Sequence, residues 1–417
     1  VRILIGVHEV SGYYRGLKEG FQALGVPVTF LNLAKHRYAY GGEDFAPFSR
    51  LLETTRRRGP EPEWMLLRAG LEKSLVAWAL ARHDAFILSH GESLLWSGED
   101  LDRMRNAGKK VVLQFHGSDS RPPYLDGSLM APDRGITIAQ CIEYTREKKE
   151  KLARLDRVAD AVVNIPPTSH FHERPVVDWL RIGLPTRPIG YPRTVRPRGR
   201  APVRIVHAPS HPAAKGTPVI EAAISALVAR GLKVELIKVQ GLPNQKVLEA
   251  LESAELVVDQ AYSDYAMPGL AAEAAWFGCP TVIGGYSVGL WERQLPPELR
   301  PPTAFCHPGA LAETIEALVL DPLRRRDLGL RAREFVETQW SPARVAERYL
   351  RVLSNDCPAD WMFSPHDIDY WQGACQSEEV LRPRLRRILA REGPSALCLE
   401  DKPSLRDRLV AEASAGL

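Results

Sequence analysis

The chain has 417 residues, enough for two or three domains that each bury a core. Its 45% apolar and 25% charged residues are those of a globular protein and exclude a disordered or fibrous chain. A net charge of +4, without a basic stripe interleaved with aromatics, points away from nucleic acid but suits anionic ligands. Six cysteines form no C-x-x-C pair, so zinc and disulfide frameworks are not expected and a reducing, cytoplasmic location is. No apolar run is long enough to span a bilayer. Arg2 interrupts the opening apolar run, which reads as a strand rather than a secretory signal.

In chain order, apolar runs at 2–7, 27–33, 85–89, 110–115 and 161–165 read as strands. Helical periods fall between them at 13–24, 63–81, 100–106 and 138–157. Such alternation predicts a parallel sheet covered on both faces, here over residues 1–184. A glycine-bearing loop from Gly6 to Gly12 follows the first strand and precedes a helix. The strand at 110–115 ends in Phe115-His116-Gly117-Ser118-Asp119, where the carboxyl ends of strands carry ligand-binding groups. His90 has the same placement after the third strand. His170 and His172 sit too close together on a loop to converge on one ion, so no metal site is expected there. The basic helix at 145–157 leaves a peripheral membrane contact open.

Residues 185–202 are rich in proline and arginine and read as a linker. A second alternation follows over 203–340. Strands at 203–207, 233–239, 256–259 and 281–283 are interleaved with helices at 217–230, 244–253, 269–277 and 309–320, and further helices run to 353. After the first of these strands a loop carries Ser210 and then Lys215, just before a helix start. After the third strand comes Gly269-Leu270-Ala271-Ala272-Glu273, opening another helix. A helix start offers unpaired N–H groups and a positive dipole end, and a lysine adds a point charge for phosphate oxygens. Glu273, one turn in, lies in an otherwise apolar run and needs partners there; a carboxylate so placed can accept from sugar hydroxyls. Phosphates beside hydroxyls suggest a nucleotide or nucleotide-sugar in the cleft between two such domains. The segment 341–417 reads as helices and an extension. Its cluster Trp361, Phe363, Tyr370 and Trp371 is expected to pack back on the domain surface, with an acceptor-site wall or a homodimer contact as alternatives.

The run "HAPSHPAAKGT" with Lys215-Gly216, and Gly269-Leu270-Ala271-Ala272-Glu273-Ala274 with Gly278-Cys279-Pro280-Thr281-Val282, resemble the donor-binding half of bacterial glycosyltransferases of the GT-B fold, in the retaining group called family 4. Asp259-Gln260 is similar to a branch of these enzymes. The resemblance implies an α/β fold: two Rossmann-like doubly wound domains facing a cleft, with the C-terminal helical extension added. It implies a UDP-, GDP- or dTDP-sugar as co-substrate, with no tightly bound cofactor and no metal. The acceptor is a glycan, a lipid-linked glycan or a secondary metabolite. Lys215 and the amides of Leu270, Ala271 and Ala272 would face the diphosphate, and Glu273 the ribose. His116 would lie near the reacting sugar carbon with Asp119 beside it, and Gly12 would admit the diphosphate or the acceptor.

Two departures from the family pattern stand out. Tyr265 occupies the place of the family's first glutamate, so Asp264 is the candidate for that role. An arginine expected before the lysine is replaced by His207, Ser210 and His211, leaving Arg204 or a first-domain group to complete the clamp. The alternatives are an inverting enzyme using Asp119 or His116 as base, and a degenerate domain that binds nucleotide or glycan without turnover.

Overall fold

The computed structural model describes residues 1–33, 40–58, 61–95, 97–192 and 202–415. Half of the expected linker, 193–201, therefore lies outside the described residues. Twelve strands form two sheets. β1 (Ile3–Val7), β2 (Val28–Asn32), β3 (Ala85–Ser89), β4 (Lys110–Gln114), β5 (Ala161–Asn164) and β6 (Val176–Asp178) join one, with β12 (Met362–Phe363) at its edge, in the order β12-β6-β5-β4-β3-β1-β2. β7 (Val203–His207), β8 (Val234–Lys238), β9 (Leu256–Val258), β10 (Thr281–Gly284) and β11 (Ala304–Cys306) form the other, in the order β11-β10-β9-β7-β8. Every pairing is parallel except β12 on β6.

Both sheets are doubly wound. The strand order reverses beside β1 in the first and beside β7 in the second, so each has its ligand crevice at the carboxyl ends of those strands. Along the first sheet the side chains alternate as a strand requires. Ile3, Ile5, Ile87 and Val112 face one layer with Tyr13, Leu17 and Phe21, while Leu4, Phe86, Leu88 and Leu113 face the other. The first of these cores is continuous with Val206, Val257, Ile283 and Ala271 of the second unit, so the two units share apolar packing.

Three features depart from the expectations. A helix at Ala46–Arg57, short strands β6, β11 and β12, and a helix at Val288–Gln294 add to the predicted elements; the strands are two to three residues long, below what a period-2 pattern can reveal. Lys215 does not sit in a loop. It ends a single helical turn, Pro212–Lys215, which Gly216 breaks at φ 70° before the helix Thr217–Ala229 begins. The extension is also more than a surface addition. Leu381, Leu385, Leu397 and Leu409 are fully buried in the core of the first unit, and Arg384 donates to the carbonyl of Tyr124. Its stretch around Cys375 reaches the second unit, where the Cys375 amide donates to the Tyr262 carbonyl (2.9 Å) and the Glu378 amide to the Tyr286 hydroxyl (3.2 Å).

The helix Tyr13–Ala23 lies against the returning helix Pro342–Leu353, with the Tyr13 and Tyr349 hydroxyls 2.9 Å apart. The approach depends on Gly20, where a Cβ would stand 2.0 Å from the Pro342 carbonyl oxygen. Helix propensity alone makes Gly20→Ala stabilising by about 1 kcal/mol. The contact predicts the opposite sign, a loss of about 1–3 kcal/mol by overpacking, measured as a lower urea midpoint at unchanged m.

Candidate functional site

The carboxyl ends of β7 and β9 and the start of the helix Gly269–Trp276 enclose a cavity of about 300 Å³. Lys215, Ser210, Asp259, Gly269, Leu270 and Glu273 line it from the second unit, and Ser11 and Tyr40 from the first. Ser11, at φ 51° in the loop after β1, closes directly over Gly269: a Cβ on that glycine would lie 3.1 Å from the serine's Cβ and Oγ. The Thr186 hydroxyl holds this loop by donating to the Ser11 carbonyl, and Trp276 Nε1 donates to the Thr186 carbonyl (2.6 Å), tying the loop to the helix it covers.

Lys215 Nζ donates to Gln260 Oε1 (2.6 Å) and stands 4.0 Å from Asp259 Oδ1. Asp259 is 3% exposed and one of its oxygens, Oδ2, has no hydrogen-bond partner; burial raises its pKa, against the charge of Lys215. At the helix start the Ala272 amide donates to the Pro268 carbonyl, and the Ala271 amide is engaged with Asp259. The amides at the mouth are thus those of Gly269 and Leu270, and the predicted amide set narrows at its Ala271 and Ala272 end. Glu273 accepts from Asn244 Nδ2 (2.8 Å); burial pushes its carboxyl up to about 7.

The other predicted residues are placed as follows. Gly12 opens the helix Tyr13–Ala23 at φ 76°, but this helix start is already capped. Glu9 accepts from the amides of Tyr14 (3.2 Å) and Arg15 (3.0 Å), so no anion site of the Gly269 kind is free there. His116 packs edge-on against Tyr13 (5.3 Å) and Tyr14 (6.1 Å), and burial, then His90, hold its pKa down at about 3. Asp119 caps the turn after β4, accepting from the amides of His116 and Gly117 and from His90 Nδ1 (3.0 Å); against the cost of burial, the His90 hydrogen bond keeps the carboxyl well below its usual range.

Asp264 does not line the cavity around Lys215. It is 2% exposed and ion-paired with Arg121, itself 3.5 Å from Asp126, a buried bond between the two units that the sugar-contact expectation did not foresee. Arg204 is exposed and paired with Glu235 (3.0 Å), away from any phosphate clamp. His207 is locked between the Val258 carbonyl and Thr217 Oγ1, both at 2.8 Å, and His211 caps the Pro212 turn and meets Asp133 of the first unit (3.1 Å). His170 and His172 bond separately, to the Tyr370 carbonyl and to Asp156, and among the described residues no three metal-ligating side chains converge.

Sequence reasoning missed Ser11, Tyr40 and Asn244. Asn244 opens a helix after β8, and that position was its one legible signal.

No family model matches the chain, and no curated protein matches it. Among solved structures, TarM is 10% identical over 84% of this chain and 98% of its own, at a TM-score of 0.53. A Staphylococcus aureus TarM variant in complex with fondaparinux, alpha-GlcNAc-glycerol and UDP is 8% identical over 84% and 99%, at 0.52. Anabaena HepE in complex with UDP and glucose is 11% identical over 85% and 99%, at 0.49. Identity of this order speaks to fold, and the fold is GT-B: two doubly wound α/β units facing a cleft.

Burial of Glu273 has a thermodynamic consequence. Its folded pKa of about 7 exceeds the ordinary 4.5, so the folded state binds the extra proton. That contribution is fully present below pH 4.5 and is lost as pH rises through 7, a change of about 3 kcal/mol. Glu273→Gln keeps an acceptor for Asn244 and removes the titration. Urea unfolding from pH 5 to pH 8 is expected to show the variant gaining on the wild type across that window; a constant difference would contradict the assignment.

Proposed function

We propose that the protein transfers a sugar from a nucleoside-diphosphate donor to an acceptor bound on the first unit. Residues 1–184 form the acceptor side and 203–340 the donor side, with 341–417 packing back on both. One observation carries the reading: a lysine, an open helix start and a buried carboxylate line a single cavity at the crevice of the second sheet, covered by Ser11 from the first. TarM's complex with UDP and glycan ligands supports the same choice of donor and acceptor class.

In this reading the diphosphate sits between Lys215 Nζ and the Gly269 and Leu270 amides, and the ribose hydroxyls donate to Glu273. Negative charge grows on the departing diphosphate as the anomeric bond breaks and the sugar passes through an oxocarbenium-like state. The lysine and the helix dipole are already oriented toward that charge, so stabilising it costs no reorganisation. These protein groups supply the positive charge, and the reading assigns no metal to the step. Transfer proceeds with retention, as the family 4 resemblance implies. The acceptor oxygen arrives on the face the leaving group vacates, and the departing phosphate takes its proton. The geometry supports this over inversion through His116 or Asp119, because one is packed against tyrosines and the other is spent on a turn and on His90.

Calorimetry with UDP, GDP and dTDP is expected to find binding for at least one. Lys215→Ala and Glu273→Ala should each weaken it roughly 10- to 100-fold through loss of a charge-assisted bond. Unchanged affinity in both variants removes the assignment. With a turning-over acceptor, the product keeps the donor's anomeric configuration. Inversion would sink the retaining step alone, and nucleotide binding without any release of diphosphate would favour the degenerate reading.

A further inference from the structure

A second cavity, of about 350 Å³, lies at the crevice of the first sheet, where the carboxyl ends of β1 and β3 meet. Three cationic side chains from two helices converge on it: Arg56 from Ala46–Arg57, and Lys151 and Arg154 one turn apart on Ile138–Val158. Among the described lining residues Glu92 is the one carboxylate, held by His8 at 3.1 Å, and Asp102 stands 3.7 Å from Arg154. Arg56 bonds Glu72 (3.2 Å) through Nη2, but its Nε is buried with no acceptor, which leaves a costly open donor. The Lys151 ammonium has no hydrogen bond or ion pair among the described residues. Arg154 is anchored by the carbonyls of Ser97 (3.2 Å) and Gly98 (3.1 Å).

This chemistry has nothing to do with the nucleotide, which the other crevice accounts for. His8, in the lining, and Ser11, over the donor helix, are three residues apart, so their backbones stand within about 11 Å of each other. The two cavities thus lie on either side of one short stretch of chain, close enough for an acceptor of modest length to extend from one to the other. Resting on the glycosyl-transfer reading, we infer that the acceptor carries a phosphate or carboxylate, and that Arg56, Lys151 and Arg154 bind this anionic group while the acceptor hydroxyl points past His8 toward Ser11. A neutral glycan would leave the buried Arg56 Nε unmatched and make no use of the positive charge gathered here.

The test is calorimetry on the full chain with saturating UDP, so that anions cannot enter the donor cavity. The probes are glycerol 3-phosphate, glucuronate and glucose. At least one of the two charged probes should bind, and glucose should not. Lys151→Gln, which gives up no hydrogen bond or ion pair among the described residues, should weaken the charged probe by roughly tenfold or more while leaving UDP affinity unchanged. Arg56→Gln should do the same, with Tm recorded because it also gives up Glu72. The comparison of phosphate with carboxylate tells which anion the site takes. Charged probes that bind no better than glucose, or that are indifferent to Lys151→Gln, overturn the inference. If UDP does not bind, GDP or dTDP takes its place; if none of the three binds, the donor reading has failed, and titrating the anions into the protein alone still decides whether this cavity is an anion site.

Discussion

One helix, Tyr13–Ala23, sets the geometry on which the cleft depends. Its first residues follow the loop that places Ser11 on Gly269. Gly16 lets the Pro185 carbonyl pass where a Cβ would stand 2.0 Å away, and Gly20 does the same for Pro342. The chain leaves the first unit near Pro185 and returns to it near Pro342, so both crossings are pinned to the same helix. A larger residue at either glycine would push a crossing outward and lift Ser11 from the donor helix. The buried Arg121–Asp264 pair, which also joins the two units, fixes the same relation through charge. Such a pair specifies geometry more than it stabilises, because the burial of two charges offsets most of their attraction.

The cavity proposed for the donor offers a lysine and an open helix start, yet two buried carboxylates also line it. Asp259 and Glu273 are both desolvated, and desolvation is what raises their pKa values. Glu273, raised to about 7, carries less charge near neutral pH than an ordinary carboxylate, so it repels a diphosphate less and still accepts hydrogen bonds from hydroxyls. Lys215 stands beside Asp259 and Gln260, which orient its ammonium before any ligand arrives.

The sequence made the strand-and-helix alternation legible because buried parallel strands are short apolar runs, and those from β1 through β5 and β7 through β10 announce themselves as such. It also exposed Lys215 and the Gly269 helix start, since both are local in the chain. It did not expose Ser11 over Gly269, Asn244 on Glu273, or Arg121 on Asp264. Each of those joins residues far apart, and no local pattern encodes the partner. Asp264 illustrates the cost: adjacency to the expected glutamate position suggested a sugar contact, whereas its side chain is turned toward a first-unit arginine 143 residues away. The extension's aromatic cluster reads as packing back on the domain surface, and Tyr370 and Trp371 do so. The sequence did not expose how far Leu381, Leu385 and Leu397 go in completing a core begun by β3 and β4.

The account stands most directly on where a nucleoside diphosphate sits. A crystal structure with UDP, or with whichever nucleotide binds, should place diphosphate oxygens within hydrogen-bond distance of Lys215 Nζ and the Gly269 and Leu270 amides, with the ribose hydroxyls on Glu273. A nucleotide found in another crevice, or one whose diphosphate lies beyond hydrogen-bond reach of Lys215 Nζ, would contradict it.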